Sequence, residues 1–131
     1  MRISDGKRCG KESAMTYEEV MAVVEETGLP YAYDHFSEGE SPDPPFLLFL
    51  FPRSDNFVAD GRVYQKIDEL HFELYTDKKD PVLEARVEGV LDSHGIVYEK
   101  TEVWISEEKL YEVLYSTEVL MDAEIPGNTS G

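Results

Sequence analysis

Polar and apolar positions divide the chain into two helical stretches, several strand-like runs and one excursion between strands. Tyr17, Val20, Met21 and Val24 recur at helical spacing and define one apolar face. Ahead of them, Thr16-Tyr17-Glu18-Glu19 is a T-x-x-E capping box. The Thr16 hydroxyl can accept from the Glu19 amide while the Glu19 carboxylate reaches back to the Thr16 amide. Gly28 and Pro30 stop the run, which predicts a helix from Tyr17 to Thr27. Leu83, Val87, Val90 and Leu91 form a second face, entered through Asp80-Pro81 and closed by Ser93-His94-Gly95. Asp at the N-cap and Pro at the first helical position predict a helix from Pro81 to His94.

The strand signals are of two kinds. Phe46–Phe51 is an unbroken apolar run between Pro44-Pro45 and Pro52, which predicts a short strand buried on both faces. Leu70, Phe72 and Leu74 alternate with His71, Glu73 and Tyr75, the period of a strand with one face on a core. Between these two, Phe57-Val58-Ala59 and Arg62-Val63-Tyr64 flank Asp60-Gly61, a two-residue hairpin signal because that turn needs positive φ at both positions. The two strands are therefore expected to be joined by a protruding hairpin arm. Phe57, Val58 and Tyr64 on such an arm call for a covering partner. Tyr31–His35 reads as a short strand, followed by the acidic, Pro-rich connection 37–45. Ile96–Ile105 and Leu110–Met121 read as a final strand pair about the turn 106–109. In the last strand Tyr111, Val113 and Tyr115 alternate with Glu112 and Leu114, and both faces hold apolar residues, so the inward face stays open.

The resulting expectation is an α+β fold in the order α-β-arm-β-α-β-β. A mainly antiparallel four-stranded sheet would carry two helices on one face and only loops on the other. Residues 1–15 lack periodicity and are expected to be a disordered tail or a non-native extension, with Met15 in the position of a native start. Residues 16–121 form the single domain, and 122–131 a flexible tail.

Charge sharpens this picture. The chain carries −16 overall; residues 1–15 are net +2, which leaves −18 on the rest. Such a field repels phosphate, so gripped nucleic acid and anionic membranes are not expected partners. The single Cys9 permits no internal disulfide and fits a reducing cytosol. His35, His71 and His94 lack metal-ligand spacing, and His94 suits a helix C-terminus through the dipole alone. No P-loop, G-x-G-x-x-G or G-x-S-x-G is present. Adjacent acids such as Glu25-Glu26 and Glu107-Glu108 follow from an acidic composition. No nucleophile has a placed base, so neither an enzyme nor a cofactor is expected.

The stretches DNFVADGRVYQK, ELYTDKKDP, YEKTEVWI and EEKLYEVLY resemble small tail proteins of siphophages and Gram-positive prophages. The group is similar to the tail-terminator, or tail-to-head joining, proteins of long non-contractile tails, and the resemblance spans roughly Thr16 to Met121. It implies a structural subunit that forms a ring, a hexamer in the assembled tail, which caps the tail tube and joins it to the head. Implied partners are further copies of the chain, the major tail-tube protein and a head-completion or connector protein. The implied location is the host cytoplasm during assembly and then the virion, or the cytosol for a defective prophage. Cyclic assembly uses two different patches head to tail. The expected interface comprises Arg53, Phe57, Val58, Asp60, Gly61, Arg62 and Tyr64 of the arm with Tyr111, Val113 and Tyr115 of the last strand. Arg53 and Arg62 would pair with acids on the neighbour. The alternative is an acidic DNA mimic that inhibits a host DNA-binding or restriction system as a monomer or dimer.

Overall fold

The computed structural model describes residues 14–54, 57–59, 62–65 and 67–121. Its elements in chain order are β1 (Ala14–Met15), α1 (Tyr17–Glu26), β2 (Tyr31–Tyr33), β3 (Phe46–Ser54), β4 (Phe57–Ala59), β5 (Arg62–Gln65), β6 (Ile67–Thr76), α2 (Pro81–Ser93), β7 (Glu99–Ile105) and β8 (Leu110–Met121). The class is α+β, with two helices, as the periodicity predicts.

Both helix starts form as their local sequences dictate. Thr16 Oγ1 accepts from the Glu19 amide at 3.1 Å, and the Thr16 amide donates to Glu19 Oε1 at 3.1 Å. Asp80 Oδ1 accepts from the Leu83 amide at 3.1 Å. Gly28 and Gly95, at φ +75° and +73°, supply the left-handed residues that let the chain leave each helix. The buried stripe of α1 is Val20, Val23 and Val24; Val23 joins the expected face, while Met21 is only partly buried and Tyr17 stays exposed. Arg86 of α2 donates to the Thr27 carbonyl at 2.6 Å and so caps the C-terminus of α1 from its neighbour. His94 Nε2 lies 3.1 Å from Glu26 at the same end.

The sheet has six strands, ordered β1-β8-β6-β3-β2, with β7 also on β8. The four expected strands, β3, β6, β7 and β8, pair antiparallel, with β7 at an edge on β8. Two short strands make it mixed. β2 runs parallel to β3, and β1 runs parallel to the end of β8. A parallel neighbour needs a long crossover, and the Pro-rich connection after β2 supplies it. Ala14–Met15, expected in the tail, are thus part of the sheet. Residues 1–13 and 122–131 lie outside the described residues.

Side-chain alternation assigns the two faces. Leu47 and Phe49 of β3, Leu70, Phe72 and Leu74 of β6, and Val113, Tyr115 and Val119 of β8 point to one side. There they form one core with Val20, Val23 and Val24 of α1 and Leu83, Val87 and Leu91 of α2. β3 is accordingly not buried on both faces: Leu48 and Leu50 are only half-buried. Nor does it stop at Pro52. The strand shifts register between Leu50 and Arg53, and a proline without an amide hydrogen fits at such an irregularity.

Candidate assembly surfaces

Three surfaces remain outside this core. The first is the arm. β4 and β5 form a two-stranded sheet separate from the main one. Ala59 pairs with Arg62 and Val58 with Val63, the register that a two-residue turn between them requires. Phe57 and Val58 thus lie on one arm strand and Arg62 and Tyr64 on the other, while Asp60 and Gly61 fall outside the described residues. Arg53, at the base of the arm, lies 3.6 Å from Glu69 of its own sheet with its side chain 66% exposed. An exposed pair at that separation contributes little, so it leaves the guanidinium available for exchange.

The second surface is the sheet face away from the helices. Its cross-strand rows are Arg53–Glu69–Glu118, Leu50–His71–Ser116–Glu99, Leu48–Glu73–Leu114–Thr101 and Phe46–Tyr75–Glu112–Val103. The partly exposed Leu48, Leu50 and Leu114 are therefore interspersed with acids, Glu73 standing between Leu48 and Leu114. One end is covered by the crossover: Phe36 packs edge-on against Phe46 at 5.3 Å, and Phe46 stacks on Tyr75 at 5.2 Å. The Tyr75 hydroxyl donates to Glu73 Oε1 at 2.9 Å. Burial, and after it the nearby Glu73 carboxylate, raises the Glu112 carboxyl above the ordinary range, against the lowering effect of Tyr75 and His71. Burial and the bond to Glu73 raise the Tyr75 phenol as well.

The third surface is the edge strand β7, where Val103 and Trp104 are about half exposed on opposite faces. Trp104 packs on Tyr111 of β8 at 4.7 Å, which leaves Tyr111 half-buried at the hairpin end.

The last strand corrects part of the expected interface. β8 is an interior strand, with β6 on one side and β7 and β1 on the other. Val113 and Tyr115 are fully buried in the chain's own core. Their cross-strand partners Leu74 and Phe72 fix the inward parity, so neither side chain is available to another subunit.

A charge network missed in the sequence joins β7 to α2. Lys100 Nζ lies 3.0 Å from Glu84 and 2.6 Å from Glu88; Lys79 Nζ lies 2.5 Å from Glu84 and also pairs with Glu102. Glu84 is almost fully buried. Burial alone would raise its carboxyl, but hydrogen bonds from Lys79 and Lys100 outweigh that and hold it below the usual carboxylate range. Lys79 is raised chiefly by its bond to Glu102, and Lys100 by its bond to Glu88. Every charge in the set has an opposite partner, which suits a structural clamp better than acid–base chemistry. Its only advance signal was Lys100 in an exposed strand following a helix with Glu84 and Glu88 one turn apart.

Among the described residues, no three His, Cys, Asp or Glu side chains gather so as to hold a metal ion, and no helix is long and apolar enough to cross a membrane. No protein-family model matches the chain, and no curated protein matches it in sequence.

Proposed function

We propose that the protein is a structural subunit of a phage or prophage tail, a terminator that closes into a ring on the tail tube and joins it to the head. The observation that carries this reading is the arm, a separate two-stranded sheet inserted between strands that already pair with each other. The fold does not need such an insertion for its own ladder, whereas head-to-tail assembly needs an element that leaves its own subunit. Phe57, Val58 and Tyr64 are the proposed anchors, with Arg53 and Arg62 setting register against an acidic neighbour. Further copies of the chain, the tail-tube protein and a head connector are the proposed partners. The carboxylates Glu69, Glu73, Glu99, Glu112 and Glu118 share the face away from the helices, and turned toward the channel they would keep passing DNA from adhering. Native mass at near-physiological salt tests the reading, because a ring and a monomeric or dimeric DNA mimic differ severalfold in size.

A further inference from the structure

Between the crossover and the β7–β8 turn, a cleft opens on the sheet face away from the helices. Phe46 and Leu48 of β3 and Tyr75 of β6 form its floor. Ser41 on one side and Ile105 and Leu110 on the other form its walls, around a volume of about 320 Å³. That volume is at the small end for ligand sites and admits one aromatic side chain. The Phe46 and Tyr75 rings, stacked at 5.2 Å, give the cleft an aromatic base. Leu48, Ile105 and Leu110 are each only half-buried, so the subunit leaves apolar surface here uncovered.

Charge and reach together choose an occupant. The crossover, residues 37–45, carries Glu38, Glu40 and Asp43 with no base, and the turn 106–109 carries Glu107 and Glu108 with only Lys109. All six residues are exposed. The arm has the opposite sign: residues 53–66 hold Arg53, Arg62 and Lys66 against Asp55 and Asp60, net +1 in a chain of −16. Acidic walls and a basic arm attract each other. The subunit's own arm cannot fill the cleft. Phe57 stands three positions beyond Ser54, the end of β3, and Tyr64 three before Ile67, the start of β6. Three residues of extended chain span at most about 11 Å. Phe46 and Tyr75 lie eight positions from those same strand ends, about 26 Å away along the sheet. An arm that enters the cleft therefore comes from another copy, and two patches at opposite ends of the sheet are what head-to-tail contact requires.

We propose that this cleft receives the β4–β5 arm of a second copy of the chain, with an arm aromatic in the hollow and the arm's bases against the acidic walls. The proposal rests on the ring reading above, for which it supplies the receiving site.

The test uses the full chain carrying Phe57→Ser and Tyr64→Ser, whose own arm does not compete, and a head-to-tail cyclised peptide of residues 53–66 as the probe. NMR titration should give saturable shifts centred on the methyl groups of Leu48, Ile105 and Leu110. The same peptide with Phe57→Ser and Tyr64→Ser should bind at least about tenfold more weakly, because its apolar contacts are lost. Adding Glu108→Lys to the chain should weaken binding about threefold, the size of one exposed ion pair. Adding Ser41→Trp, a change at an exposed position of the wall, should fill the cleft and remove the shifts. Amide spectra check that these variants fold; if one does not, the two peptides still decide. No saturable shift at these methyl groups, or equal binding of both peptides, would overturn the proposal. Native mass of the unaltered chain separates that failure from failure of the ring. A ring without these shifts keeps the assembly and overturns the cleft, whereas these shifts without a ring keep the cleft and overturn the ring.

Discussion

The Tyr115 hydroxyl donates to Glu88 Oε2 across 2.8 Å, tying the middle of β8 to α2. The Tyr115 ring lies in the core, edge-on to Tyr98 at 5.2 Å, with Lys100 above it at 5.9 Å. A tyrosine that the strand pattern offers to a neighbour is thus committed to its own subunit. Tyr115→Phe keeps the ring and removes the bond, so it should lower stability by about 1 kcal/mol. Chemical denaturation measures that loss, and the native mass should be unchanged.

Glu84 should dominate the acid response of the α2–β7 clamp. Its folded-state carboxyl is held below the ordinary range, so its contribution is present above that range and lost as pH falls through the lowered value. Glu84→Gln should cost about 1–2 kcal/mol at neutral pH, since both lysines keep other acids and are partly solvated. Denaturation at a series of pH values should show the gap between wild type and variant closing in acid. A constant gap would mean that the pairing does not set the stability.

Glu112 has the opposite sign. Its carboxyl is raised by burial and by Glu73, so its ionisation opposes folding at neutral pH, and the penalty fades as pH falls through the raised value. Glu112→Gln should therefore stabilise the protein by about 0.2–1 kcal/mol near neutrality, the range of a like-charge cross-strand effect. Thermal scans should show the gain disappearing in acid. A destabilised variant at neutral pH would show that the acid is held by attractive contacts.

What the sequence made legible follows the range of the forces involved. Thr16, Glu19, Asp80 and Pro81 act within one helical turn, and both helices begin where those residues predict. The inward face of β8 was not legible, because Val113 and Leu114 are both apolar and only the pairing of Tyr115 with Phe72 chooses between them. β1 and β2 are too short to carry a period, and their parallel pairing depends on distant strands. The arm pairing was visible in Asp60-Gly61 because a two-residue turn imposes its own register.

The arm should separate assembly from folding. Changing Phe57 and Tyr64 together to Ser should leave the thermal transition within about 0.5 kcal/mol of wild type, as for surface changes away from a core. The same variant should fail to assemble, as read by sedimentation velocity. Unfolding of the variant would place these residues in the subunit's own core. Normal assembly would move the interface to the open sheet face or the outer edge of β7.

Native mass of the full chain, measured across protein concentration and salt, tests the central claim most directly. Subunits of −16 repel one another, so screening should promote assembly driven by apolar anchors. The predicted result is a closed species of about six 15.0 kDa subunits that gains population with added salt. A monomer or dimer at every concentration and salt level would contradict the ring and favour the DNA mimic.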